Sequence, residues 1–338
     1  MKILPLAAMA CALALAAPMP SLADTPAAHR LGPPATHENL TIFLVRGERP
    51  AGKAVPVTLQ EAMQKGLIRV RETGDVNSLE IENLGAKDVF VQAGDIVKGG
   101  KQDRVLSVDL VLGPKSGPTR IASFCVEQGR WQKRGNERVE SFSGSTASLP
   151  SREMKLAAKQ AASPRGTADL QQKVWNGVRD VQRKLDGNLG APAAAAASPS
   201  SLQLTMENEK LKTAVGGYEQ VLRGMIEAAP DAVGFVVAIN GKPSSADLYS
   251  SPELFRAMWP KLLHASAVEA VAEKNGAAFA PATADQALAF LDQARQAPAA
   301  RQKITARVAM ETRETDKVLA SETQLAEGGW VHRSYVAK

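Results

Sequence analysis

The hydrophobic period of this chain changes twice, and that switch limits the folds open to it. Up to Trp131 the apolar residues come in short alternating runs, separated by breaks that carry glycine, asparagine or aspartate. Half-buried antiparallel strands have this pattern. Beyond residue 150 the apolar positions recur at spacings of three, four and seven, one stripe along amphipathic helices. From residue 303 alternation returns. Strands at both ends of a helical middle predict a single α+β domain over residues 39–338. It should be an antiparallel β-sandwich-like sheet formed by N- and C-terminal strands with a helical middle segment.

The segments follow from the same pattern. Residues 40–45, 67–72, 78–83, 89–92 and 120–126 read as strands. The clearest is 105–112, with Leu106, Val108, Leu110 and Leu112 on one face. Thr58 and Glu61 have capping-box spacing ahead of Gly66, which predicts a short helix over 58–65. Residues 141–151, rich in Ser and Gly, read as a solvated loop. Helices are expected at 152–160, 167–185 and 202–228. The last should break at Gly216-Gly217, where each glycine costs roughly 1 kcal/mol relative to alanine. The Ala/Ser/Pro-rich stretch 187–200 reads as a mobile connector. Residues 232–239 form an apolar strand closed by the turn dipeptide Asn240-Gly241. Ser251-Pro252 starts a helix that Pro260 should kink or divide, and Thr283 with Gln286 caps another through Arg295. Gly328-Gly329 turns the chain into a last strand.

Residues 1–23 have the composition of a cleavable signal peptide. Lys2 precedes an apolar run over 3–17, and Ser21-Leu22-Ala23 offers the small residues a signal peptidase reads. Cleavage is expected after Ala23, followed by a flexible lead-in over 24–38. The protein would then be periplasmic or secreted, with no stable membrane insertion after cleavage, because the run is too short to span comfortably. Cleavage removes Cys11 and leaves Cys125, which excludes an internal disulfide and thiolate zinc sites of the usual kind. The net charge of +6 is spread along the chain, and aromatics make up 4% of it. That argues against a nucleic-acid partner and leaves an anionic small molecule or a protein partner.

The candidate site is a pair of polar clusters where apolar runs stop. Gly99, Gly100, Lys101, Gln102, Asp103 and Arg104 lead into one strand, and Cys125, Glu127, Gly129, Arg130 and Trp131 close the next. A hairpin between the two strands would bring the clusters together. Lys101, Arg104 and Arg130 could then cradle an anion, with Gly99, Gly100 and Gly129 letting backbone N–H groups approach. Glu127 with Asp103 or Asp109 could act as an acid–base pair; the alternative is that Glu127 pairs Arg130 or Arg104 and holds the loop. Cys125 is either a nucleophile activated by neighbouring cations or a small apolar residue within a strand. Trp131 either stacks on a sugar or base or is a core or rim aromatic. His37, His264 and His332 are scattered, so no metal site is expected.

On these residues the chain resembles the family of the ARG and Rhodanese-Phosphatase-superfamily-associated protein domain. The matching pieces are Asn83-Leu84 with Ala93-Gly94-Asp95, then residues 98–106 and 123–131, then Val174-Trp175 and residues 234–241. The resemblance spans residue 38 to the C-terminus. The family's name records gene neighbourhoods with ADP-ribosylglycohydrolases and phosphatase-like proteins, so the resemblance implies nucleotide or ADP-ribose chemistry by association. No cofactor is implied. The expectation is an exported ligand- or partner-binding protein with its site at loops 99–104 and 127–131. The alternative is a hydrolase acting on a phosphorylated or nucleotide-linked substrate, with Glu127 as general base and Arg104 and Arg130 holding the anion.

Overall fold

A computed structural model describes residues 29–48, 54–137, 139–161 and 167–338. The expected signal peptide lies outside the described residues. The fold is mixed α+β on large antiparallel sheets. Among the described residues the largest sheet has nine strands. Its order is Arg30–Leu31, Leu40–Arg46, Ala232–Ile239, Lys242–Tyr249, Trp330–Ala337, Val318–Leu325, Val308–Glu314 and Ala299–Lys303, with Ala35–His37 also paired to Leu40–Arg46. N- and C-terminal strands therefore share a sheet, but they meet through the central hairpin of residues 232–249. Asn240 and Gly241 turn that hairpin with φ of 51° and 75°, the left-handed conformation that a two-residue turn of this kind requires.

A second sheet of six strands runs Phe142–Ser148, Asp95–Gly99, Arg104–Leu106, Gly117–Cys125, Ser78–Asn83 and Ile68–Glu72. A third pairs Leu110–Leu112 with Val89–Val91, which in turn pairs in parallel with Val57–Thr58. The helix Pro252–Ala272 lies on the strand Ala232–Ile239 and beside Glu209–Leu222 and Thr167–Leu189. The Ser251 side chain caps it by accepting the Leu254 N–H. Its Phe255 and Trp259 contact Phe235, and Phe255 stacks on Tyr249. One apolar core contains Leu40, Phe124, Val174, Leu211, Phe235 and Phe255, so it joins both large sheets to the helices. Fully burying each such side chain is worth roughly 1.5–3 kcal/mol.

Several expectations need correction. The run 105–112 is two short strands in different sheets, Arg104–Leu106 and Leu110–Leu112. The chain leaves the first sheet between them because the Asp109 carboxylate is drawn to His332, Thr323 and the Ala93 N–H. Residues 141–151 are not a loop: Phe142–Ser148 pairs with Asp95–Gly99, with a register shift between Gly144 and Ser148. Its polar composition suits an edge strand. The described part of the lead-in, 29–38, is held in the large sheet through Arg30–Leu31 and Ala35–His37. The stretch 187–200 lies mostly at the surface and is tied down at Ala193 and Ser198, which are buried. The preceding helix runs to Leu189, Ala193 is buried, and its N–H donates to Asp186 at 2.6 Å.

The helix expected over 202–228 divides at Asn208, which caps Glu209–Leu222. It continues through Gly216-Gly217, where burying Leu211, Val215, Tyr218 and Leu222 on one face outweighs the glycine cost. Pro260 does not divide Pro252–Ala272. The tail alternation around residues 304–310 spans the turn between Ala299–Lys303 and Val308–Glu314.

Candidate functional site

The strand register brings the two polar clusters together. Gly117–Cys125 pairs with Arg104–Leu106 so that Cys125 faces Arg104 and Phe124 faces Val105. Residues 99–103 and 126–131 then leave the same end of the sheet. Arg130 donates to the carbonyls of Gly100 at 3.2 Å and Gly99 at 3.3 Å. Gly99 and Gly100 have φ of 115° and 56°, and a Cβ on Gly100 would overlap the ring of Phe142. Only glycine fits there without strain.

Beneath this loop lies a closed charge network. Glu127 has no solvent exposure. Its Oε2 accepts the Asp103 N–H at 3.1 Å and lies 2.6 Å from Nε of Arg130, while its Oε1 accepts from Arg134 at 2.9 Å. Arg134 also forks onto Asp103, at 2.8 Å and 3.1 Å. Asp103 accepts the Gly99 N–H at 2.9 Å and the Ser201 hydroxyl at 3.0 Å. Ser201 in turn caps the helix Leu202–Met206, so the network fastens the loop to the helical middle. Burial alone would raise the Glu127 carboxyl, but the Ser198 side chain, Arg130 and the Asp103 N–H hold it below the usual range. Burial and the charge of Glu127 push Asp103 above its own. Both carboxylates are saturated with donors. The arrangement fixes loop shape and presents no free base.

A second layer surrounds Cys125. The Gln102 Oε1 accepts from Arg104 at 2.7 Å and from the Cys125 thiol at 2.6 Å, and the Gln102 amide donates to the Glu127 carbonyl. Arg104 is fully buried; it contacts the Cys125 sulfur and donates to Glu72 at 3.2 Å. Glu72 also accepts the Lys101 N–H at 2.9 Å. The Gln171 amide bonds both the N–H and the carbonyl of Cys125. Burial pushes the Cys125 thiol up to about 11 against the pull of Arg104, so it stays protonated at neutral pH. Of the two readings of Cys125, this burial favours the small residue packed within a strand. Arg104, expected to hold an anion, is turned inward. Over this layer sits Trp131, 41% exposed, with Lys101 Nζ 4.9 Å and Arg104 Cζ 5.4 Å from its ring centroid.

Asp109 does not join Glu127. It belongs to a buried cluster in which it accepts from Thr323 at 2.6 Å and contacts His332 Nδ1 at 2.7 Å. His332 Nε2 lies 3.1 Å from Asp247. Burial would lower the His332 pKa, but Asp109 and Asp247 bring it up to about 9. Lys155, Lys159 and Asp247 line a cavity of about 30 Å3 beside it. Among the described residues no group of three or more His, Cys, Asp or Glu is arranged to hold a metal ion.

A family model for the ARG and Rhodanese-Phosphatase-superfamily-associated Protein domain, ARPP-1, matches residues 28–336. The chain belongs to this family. No curated protein and no solved structure is significantly similar to it. The ARPP-1 match takes in both charge clusters, the first residues of the large sheet and its last strand. Within the ARPP-1 domain, sequence reading missed Glu72, Arg134, Gln171 and Ser201, which complete the network around Glu127 and Cys125. Arg134 lies three residues beyond Trp131, outside any strand, with no periodicity to mark it. His332 was legible in principle. It shares a strand face with Ser334 on a strand otherwise rich in apolar residues, and both are buried.

Proposed function

We propose that this protein is an exported, non-catalytic binding protein that recognises a negatively charged ligand or partner through loops 99–104 and 127–131. One observation carries the reading. Every acidic group at the site is tied to a cation or a backbone N–H, while the Trp131 ring and the Lys101 ammonium remain at the surface. Exposed tryptophan beside cations is a recognition element, and a closed carboxylate is not a base. The charge network beneath would hold the two loops rigid, which lowers the ordering cost of binding. The Lys2-led apolar leader and the Ser21-Leu22-Ala23 motif support export.

Fluorescence and thermal-shift titrations with ADP-ribose, nucleotides and sugar phosphates test the small-anion form of this reading, and capture with an acidic protein surface tests the other. Trp131→Ala and Lys101→Ala should abolish binding while leaving the melting temperature unchanged. Binding that persists in both variants would remove these loops as the site. Turnover of any of these compounds that is lost in Glu127→Gln would favour the hydrolase instead.

A further inference from the structure

A different part of the molecule is also built to take a ligand. On one face of the C-terminal strands, Arg313, Ala320 and Tyr335 stand directly opposite one another, and so do Glu311, Glu322 and Arg333. Ala320 is short and lies between two long side chains, so the first row is hollow at its centre. The helix Ala284–Asp292 packs Leu291 onto this face, and Ala294 and Arg295 follow it over the hollow. The result is a cavity of about 340 Å3 with an apolar floor of Leu291, Ala294, Ala320 and the Tyr335 ring. That volume falls at the lower end of small-molecule sites.

The polar groups on its wall are asymmetric. Glu311 and Glu322 face each other across adjacent strands, a pairing that repels unless neutralised. Both are neutralised. Glu311 Oε1 receives Arg313 at 3.0 Å and its Oε2 lies 3.5 Å from the Gln324 amide. Glu322 receives Arg333 Nε at 2.6 Å on one oxygen and Gln324 at 2.7 Å on the other. Arg333 spends only Nε on that bond, and its terminal nitrogens have no hydrogen-bond partner among the described residues. Its guanidinium carbon lies over the Trp330 ring, 4.2 Å from the ring centroid. Arg313 is spent on Glu311 and on the carbonyls of Arg295 and Ala297, and one terminal nitrogen of Arg295 pairs with Asp292 at 2.7 Å. The open donors on the wall are therefore the terminal nitrogens of Arg333 and the remaining N–H groups of Arg295. His29, also on the wall, responds to the same field: burial and the charge of Arg333 hold its ring below the usual range.

We propose that this cavity binds a small organic anion, a carboxylate or phosphate ester carried on a short aliphatic chain or single aromatic ring. The charged end meets Arg333 and Arg295, and the apolar body lies on Leu291, Ala320 and Tyr335. This site is separate from loops 99–104 and 127–131 and does not depend on the reading given to them.

Calorimetric titration of the full chain with hexanoate and with phenyl phosphate tests it, with hexanol and inorganic phosphate as the two halves of the ligand. The organic anions should bind, each at least tenfold more tightly than either half. Preference between the two anions identifies the headgroup. Ala320→Leu, which fills the hollow, and Arg295→Gln, which removes a donor outside the sheet, should each weaken binding about tenfold, and Trp131→Ala should leave it unchanged. Should Ala320→Leu fail to fold, Arg295→Gln decides alone. Absence of binding at millimolar concentration, or undiminished binding in Arg295→Gln, overturns the proposal.

Discussion

Arg134 holds Asp103 with both terminal nitrogens, Nη1 2.8 Å from Oδ2 and Nη2 3.1 Å from Oδ1, in a place almost sealed from water. The same guanidinium reaches Glu127 at 2.9 Å and Glu137 at 2.9 Å. It is the cation on which the two loops close, and it comes from neither of the segments that suggested the site. A guanidinium suits this place because its planar fork can satisfy several carboxylate oxygens at once.

Removing it should be severe. Arg134→Ala leaves Asp103 and Glu127 buried, adjacent and short of a counter-charge. Breaking a buried charge pair in this way costs about 3–5 kcal/mol. Arg134→Lys keeps the charge but loses the fork, so its loss should be smaller though still measurable. Urea denaturation midpoints with an unchanged slope are the readout. A midpoint for Arg134→Ala equal to that of the wild type would show the network to be ornamental.

The Cys125 thiol should be inert in the native protein. With its pKa near 11, only about one thiol in a thousand is ionised at pH 8, and only the thiolate reacts. A chromogenic disulfide reagent should therefore titrate no thiol from a chain lacking residues 1–23 until guanidinium chloride is added, and then one per molecule. Rapid labelling without denaturant would mean that the sulfur is reachable and activated.

The strand framework was legible because alternation reports burial, and burial built these sheets. Ser78–Asn83 and Ala232–Ile239 fall where the pattern put them. Residues 99–104 and 127–131 meet as the expected strand pairing required, although the two strands are joined by a detour through Leu110–Leu112 in another sheet and not by a simple hairpin turn. What stayed hidden depends on long-range polar pairing. Asp109 sits inside an unbroken apolar alternation, yet its carboxylate bonds across 223 residues to His332 and breaks the strand. Phe142–Ser148 is a strand with few apolar residues, and its backbone partner rather than its side chains defines it. Gly216-Gly217 and Pro260 remain helical because packed neighbours override local propensity.

Two glycines of the site separate backbone strain from crowding. Gly129 has φ 88° with nothing near the position a Cβ would take, so Gly129→Ala should cost only the left-handed penalty, about 1–2 kcal/mol. Gly100 has φ 56° and abuts the Phe142 ring, so Gly100→Ala adds an overpacking cost of roughly 1–3 kcal/mol to that penalty. The ranking can be read from melting temperatures. Shortening the obstacle in Gly100→Ala/Phe142→Ala should recover part of the difference; equal losses for the two single variants would contradict the close approach.

The last expectation concerns alkaline pH. His332 has a pKa of about 9 in the folded protein against 6.5 as a free side chain. A group whose pKa rises on folding binds its proton more tightly in the native state. Its contribution is therefore complete below about pH 6.5, declines as pH rises, and is lost above about pH 9. The full difference corresponds to about 3 kcal/mol. Asp109 and Asp247, both held low by His332 against the burial that would raise them, work in the opposite window. Their contribution is present above about pH 4 and disappears as acid protonates them. Stability measured by denaturant should thus fall between pH 7 and pH 9.5. In His332→Gln that alkaline slope should flatten while stability at pH 7 drops, because two buried carboxylates have lost their cation. An alkaline slope that survives in His332→Gln would place the titrating group elsewhere.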